Sequence, residues 1–241
     1  MDFKGGEILV VDKPYKWTSF DAVKRIRGAI QRKLGVKKFK VGHAGTLDPL
    51  ATGVLIICTG NATKGIDTLQ AGHKEYIATL RLGATTPSFD LETEVDKEYP
   101  YTHITREMIE ESLKTFTGKI MQVPPIFSAV KVDGKRAYKF ARKGKEVELK
   151  AKPLEITELE MLDFEGDVLR IRVVCSKGTY IRALARDIGE ALKSGAHLTA
   201  LRRTRVGEHT EREALTIDDA ISMIENAEVT TDDDKQSCTK D

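Results

Sequence analysis

Gly42-His43-Ala44-Gly45-Thr46-Leu47-Asp48-Pro49-Leu50-Ala51-Thr52-Gly53 runs directly into Val54-Leu55-Ile56-Ile57-Cys58. The first stretch holds three glycines, one carboxylate, one imidazole and little aliphatic bulk. Glycines let a backbone turn sharply and approach a ligand closely. The unbroken apolar run that follows predicts a buried strand. A carboxylate is therefore presented on a tight turn beside a core strand, a suitable place for a catalytic group. The same residues also suit an ordinary Asp-Pro turn.

Outward from this stretch, the chain alternates short strands with helices. Residues 7–12 read as a strand that Pro14 ends. Thr18 or Ser19 then caps a helix with Val23, Ile26 and Ile30 on one face. Residues 76–82 place Tyr76, Ala78, Leu80 and Leu82 on one side of a strand. Thr105 starts a helix to about residue 116, with Ile104 and Ile109 set for a hydrophobic staple. Residues 128–132, 146–150, 154–162 and 168–175 read as strands and 136–142 as a helix, and Glu165-Gly166-Asp167 makes a hairpin turn. Residues 180–192 give the clearest helix, with Ile181, Leu184, Ala185, Ile188 and Leu192 on one face. A strand over 201–206 and a last helix capped by Thr216 complete the pattern. It predicts an α+β fold with mostly antiparallel pairing.

Composition sets limits. The chain has 241 residues and a net charge of +2, unevenly spread. Residues 226–241 carry five carboxylates against two lysines, a net of −3 that leaves +5 on residues 1–225. This tail is expected to be disordered. Basic clusters lie at Lys33-Lys37-Lys38-Lys40, at Lys131 to Lys145, and at Arg202-Arg203-Arg205. Local basic density matters more than net charge for binding phosphate. The apolar run at 8–11 is too short for a signal peptide, and no run approaches a membrane span. Cys58, Cys175 and Cys238 share no metal-type spacing, and the first two read as buried thiols, which suits a cytoplasmic protein.

The twelve residues quoted first resemble the signature of the TruB family of pseudouridine synthases, with Asp48 on the family's catalytic aspartate. Lys74-Glu75-Tyr76 resembles a second family motif, and the run from Ser176 through Gly178, Tyr180 and Arg182 to Gly189 a third. Leu201-Arg202-Arg203-Thr204-Arg205, Asp12-Lys13-Pro14 and Trp17-Thr18-Ser19 also match. The similarity spans roughly residues 7 to 215. One departure is Lys16, where the family often has glycine.

The resemblance implies the pseudouridine synthase fold over residues 1–225, a mixed sheet with flanking helices, and a thumb-like insertion at 122–145 that covers an RNA loop. Most relatives add a C-terminal RNA-binding PUA domain, and too few residues follow 215 to build one. The implied activity converts uridine to pseudouridine in the T loop of tRNA, at position 55, with no cofactor and no metal. Asp48 would either attack ribose or base, or remove a ribose proton. All three routes need the carboxylate ionised, and a buried carboxylate stays ionised only beside a cation. Arg182 is the implied cation. Tyr76 would stack on the uracil and help remove its C5 proton. Tyr180 and Leu201 would line the pocket, while Gly45 and Thr46 would touch the substrate. His43 would stack into the vacancy left when the base is extruded, and Lys13 reads as a phosphate or structural contact.

The expected partner is the T arm of tRNA, met by a monomer that needs neither a protein partner nor a membrane. Two other readings stay open: a tRNA-binding or tRNA-folding protein with secondary catalysis, and an RNA-guided synthase subunit.

Overall fold

The computed structural model describes residues 1–128, 131–132, 135–136 and 149–229. The chain divides into two units, one of Met1–Gly72 with Arg203–Asp241 and one of His73–Arg202. The first unit opens with β1 (Ile8–Lys13), α1 (Ser19–Leu34), β2 (Val41–Ala44) and β3 (Ala51–Thr59). A 3-10 turn at Gly60–Gly65 and α2 (Ile66–Ala71) follow. The second unit holds β4 (Lys74–Leu82), β5 (Ala84–Thr85), β6 (Lys97–Glu98), α3 (Arg106–Thr115) and β7 (Gly118–Gln122). It continues through β8 (Lys131–Val132), β9 (Lys135–Arg136), β10 (Lys152–Glu165), β11 (Val168–Cys175) and α4 (Ile181–Ala191). β12 (Ala196–Val206) begins in the second unit and ends in the first, which closes with β13 (His209–Thr210) and α5 (Ile217–Asn226).

In the first unit, β1 and β2 both pair antiparallel with β3, in registers that set Lys13 opposite Gly53 and Ala44 opposite Ile56. Alternation sends successive β3 side chains to opposite faces. Leu55 and Ile57 pack with Leu9 and Val11 against Ile26 and Ile30 of α1 and Ile217 and Ile224 of α5. Val54, Ile56 and Cys58 pack with Ala44 and Val206, flanked by Ile66 and Leu69 of α2. Both faces of β3 are covered, which is why its sequence is continuously apolar rather than alternating.

α1 begins in a capping box. Thr18 accepts from the Asp21 amide, and the Asp21 carboxylate accepts from the Thr18 amide. It ends at Gly35, which takes the left-handed φ of 64°. Tyr15-Lys16 makes the turn ahead of it, and Lys16 sits at φ 66°, where a glycine would be unstrained. The turn therefore forms with a lysine, at a conformational cost.

In the second unit, β4, β11, β10 and β7 form an antiparallel run, with Tyr76 opposite Val173. Tyr76, Ala78, Leu80 and Leu82 are buried on one side of β4, as the alternation predicts. α3 and α4 lie within one residue of their expected bounds at their N-termini, with Thr105 capping α3.

Several expectations shift. β12 starts five residues before Leu201, and β3 three residues before Val54. β2, α2 and β7 are additional to the expected elements. Within the strand expected at 128–132, Lys131–Val132 pairs with Lys135–Arg136, so Arg136 lies in a strand and not in the expected helix. Residues 149–150 are not strand. The rest of the expected 136–142 helix and 146–150 strand, much of the thumb-like insertion, and the acidic tail from 230 onward lie outside the described residues.

Candidate active site

The Asp48 loop occupies residues 45–50, between the end of β2 and the start of β3. Four side chains of the first unit hold it. The Leu47 amide donates to Ser19 Oγ at 2.8 Å, and that hydroxyl donates back to the Leu47 carbonyl at 3.2 Å. Arg203, 1 % exposed, donates from Nη2 to the Gly45 carbonyl at 3.0 Å and from Nε to the Val54 carbonyl at 2.8 Å. Lys13 Nζ, also buried, donates to the carbonyls of Pro14 (2.9 Å), Trp17 (2.6 Å) and Pro49 (3.4 Å). Asp12 Oδ1 accepts from the Gly53 amide at 3.1 Å. A loop fixed at both ends and in its middle presents Asp48 with little conformational freedom. This is the preorganisation that a catalytic carboxylate requires.

The charges around the loop follow from burial. Burial lowers the Lys13 ammonium to about 8, opposed first by the attraction of Asp48. At neutral pH the lysine is still charged, so Asp48 has a cation inside its own unit. Burial, and then the positive Arg203, lower His43, while a hydrogen bond with the Gly45 backbone opposes them. The ring is therefore neutral at physiological pH, and its Nδ1 is buried without a hydrogen-bond partner. A neutral, half-buried imidazole suits stacking better than charge-based contact with phosphate. Thr46 is exposed and Asp48 half-buried.

The second unit carries the other expected residues. Tyr76 is 9 % exposed on β4. Tyr180 stands at the N-cap of α4, where its own side chain makes no cap. Buried Gln122 supplies that role: its Oε1 accepts from the Tyr180 amide at 2.9 Å, and its Nε2 donates to the Tyr180 carbonyl at 3.2 Å. Two residues on, Arg182 is buried. It donates from Nη1 to the Ser88 carbonyl at 3.1 Å and from Nη2 to the Phe127 carbonyl at 2.9 Å, and its Nε lies 3.6 Å from Asp90 Oδ2. Leu201 is half-buried within β12.

The structure thus places Lys13, His43, Gly45, Thr46 and Asp48 around one loop of the first unit. Tyr76, Tyr180, Arg182 and Leu201 belong to the second. Three residues that orient these groups escaped the sequence reading. Arg203 read as part of a surface basic cluster, Gln122 only as the start of the thumb, and Asp90 not at all. Cys58 and Cys175 are buried as expected, and burial raises both thiols, Cys175 to about 11, so neither is a ready nucleophile. Among the described residues no group of three or more His, Cys, Asp or Glu could hold a metal ion, and no helix is long and apolar enough to cross a membrane.

Comparison with known proteins places this α+β framework in a class of RNA-modifying isomerases. The family model described as TruB family pseudouridylate synthase (N terminal domain) matches residues 31–181, and the tRNA pseudouridylate synthase B C-terminal domain matches 182–236. The chain belongs to the TruB family.

Among its relatives is the tRNA pseudouridine synthase B of Phocaeicola vulgatus, 65 % identical over 95 % of this chain and 97 % of that protein. The proteins of the same name from Bacteroides thetaiotaomicron and Flavobacterium johnsoniae are 62 % and 51 % identical, covering 97 % and 90 % of this chain and 99 % and 95 % of theirs. Among solved structures, a Cbf5-Nop10-Gar1 complex matches at TM-score 0.69 and 30 % identity, over 92 % of this chain and 55 % of that one. An H/ACA RNP bound to a substrate RNA containing 2'-deoxyuridine matches at TM-score 0.66 and 28 % identity, over 91 % of this chain and 53 % of that one. This chain spans about half the length of those two solved chains.

Proposed function

We propose that this chain isomerises uridine to pseudouridine in tRNA, with position 55 of the T loop as its target and Asp48 as its catalytic carboxylate. The observation that carries this reading is the Asp48 loop itself, strapped by Arg203, Lys13 and Ser19. The high identity over nearly full length with proteins named tRNA pseudouridine synthase B supports the same reaction.

The reaction breaks the N1–C1′ glycosidic bond, turns the uracil and joins C5 to C1′. N1 gains a proton and C5 loses one to solvent, so atoms balance with no second substrate. Ionised Asp48 acts on the ribose or the base, and Lys13 and Arg182 favour its charge. Tyr76 stacks on the uracil and assists loss of the C5 proton. Tyr180 and Leu201 line the pocket, and Gly45 and Thr46 contact the nucleotide. His43 fills the stack that the extruded base leaves. The protein acts as a cytoplasmic monomer, and its 122–145 segment tracks the RNA loop.

The test is tritium release from tRNA carrying 5-tritiated uridine, using the chain alone. Release supports the reading. Binding without release would support an RNA-folding role instead, and release only with added partners an RNA-guided one. Arg182→Lys keeps the charge but loses the planar two-pronged donor, so it is expected to lose most activity. Tyr76→Phe is expected to lose rate with normal RNA affinity.

A further inference from the structure

The first unit carries a second feature that takes no part in the proposed chemical step. Residues 16–40 contain nine lysines and arginines against one carboxylate, although the whole chain nets only +2. That carboxylate, Asp21, is committed to the cap of α1. Lys24, Arg25, Arg32 and Lys33 are exposed along the solvent face of α1, and Lys37, Lys38 and Lys40 are exposed just beyond it. A cleft of about 570 Å³ opens beside this face, lined by Lys16, Trp17, Lys24, Arg25, Gly28 and Arg32, with the capping carboxylate of Asp21 at its edge. Arg32 is paired with Glu225 of α5 at 2.8 Å.

Two details shape this cleft for a ligand. Gly28 lies in the interior of α1, and a Cβ there would meet nothing nearer than Arg32 Nη1 at 3.7 Å. Alanine would fit and favour the helix by about 1 kcal/mol, so glycine here leaves the cleft lining open at the expense of stability. The backbone of Trp17 is also tied to the catalytic loop, because one ammonium, Lys13 Nζ, bonds both the Trp17 and the Pro49 carbonyls. The cleft and the Asp48 loop therefore share one rigid support.

We propose that this cleft and the basic face of α1 bind the phosphodiester backbone of the tRNA substrate, with the Trp17 indole as an apolar wall for a ribose or base. The partner is identified by charge: a dense run of exposed cations beside an aromatic group fits a polyanion that also offers flat faces. This inference rests on tRNA being the substrate.

The test is binding of the full chain to unmodified tRNA across a salt series, comparing wild type with Lys24→Gln/Arg25→Gln and with Gly28→Ala. The double variant is expected to weaken affinity about tenfold at moderate salt and to flatten the log–log salt slope by about one to two, with an unchanged melting temperature. Gly28→Ala is expected to melt higher yet bind more weakly. A double variant with wild-type affinity and slope would overturn the proposal. So would one that loses binding to vesicles of anionic lipid while keeping its affinity for tRNA. Failure of wild type to release tritium would sink the isomerase reading and leave the salt-slope result to be judged separately.

Discussion

Arg203 and Gly45 are joined by a hydrogen bond of 3.0 Å from a guanidinium that is almost fully buried. The same side chain reaches the Val54 carbonyl, so one cation ties the start of the loop that presents Asp48 to β3. Arg203→Lys retains the charge but cannot make both bonds from one planar fork. It is expected to destabilise the protein by about 2–4 kcal/mol. Turnover should fall further than this loss of folded protein explains. Chemical denaturation alongside single-turnover rates at a temperature where the variant stays folded checks it.

Two glycines, Gly45 in the Asp48 loop and Gly53 in β3, should respond differently to alanine. Gly53 has φ +103°, and a Cβ there would stand 2.2 Å from the Arg203 carbonyl oxygen. Gly45 has φ +93°, but its Cβ would meet only Arg203 Nη1 at 3.5 Å. Gly45→Ala is expected to cost about 1–2 kcal/mol from backbone strain alone. Gly53→Ala adds a backbone clash and is expected to cost about 4 kcal/mol or more. Melting temperatures of the two variants give the comparison.

Lys13 makes stability depend on alkaline pH. Its ammonium is lowered to about 8 in the fold, below the ordinary lysine value of 10.5. Between those values the unfolded chain binds more protons than the folded one, so stability contributed here rises as pH climbs from 8 towards 10.5. Lys13→Met lacks this titration and leaves three carbonyls without their donor. Wild type should therefore be more stable at neutral pH, and its advantage should widen above pH 8. Urea midpoints of both proteins at several alkaline pH values test the sign.

Lys16 holds a left-handed φ of 66° with a full side chain. Lys16→Gly removes that strain and is expected to stabilise the protein by up to about 1 kcal/mol. A raised melting temperature is the expected result.

What the sequence makes legible is local. The apolar run of β3, the N-cap of α1, the Thr105 cap of α3 and the one-sided apolar face of α4 are each written within a few neighbouring residues. The missed features depend on distant partners. Gln122 caps a helix 58 residues away, and Arg203 holds a carbonyl 158 residues away. No spacing rule links such pairs, and an arginine in a basic cluster looks the same in sequence whether it faces solvent or the core. The early start of β12 was hidden because Ala196, Thr199 and Ala200 are small or polar. Its buried His197 is satisfied through Nδ1 and the Ala84 carbonyl at 2.9 Å, again far along the chain. In the candidate site, the loop was legible from its own glycines and aspartate, while its fastenings were not.

In the proposed reaction the Asp48 carboxylate carries the isomerisation. Asp48→Asn keeps the size and most hydrogen bonding of the side chain but removes its charge. Tritium release from 5-tritiated tRNA by this variant, measured beside its RNA affinity, is the most direct test. Wild-type binding with no detectable conversion is the expected result. Conversion at the wild-type rate would contradict it.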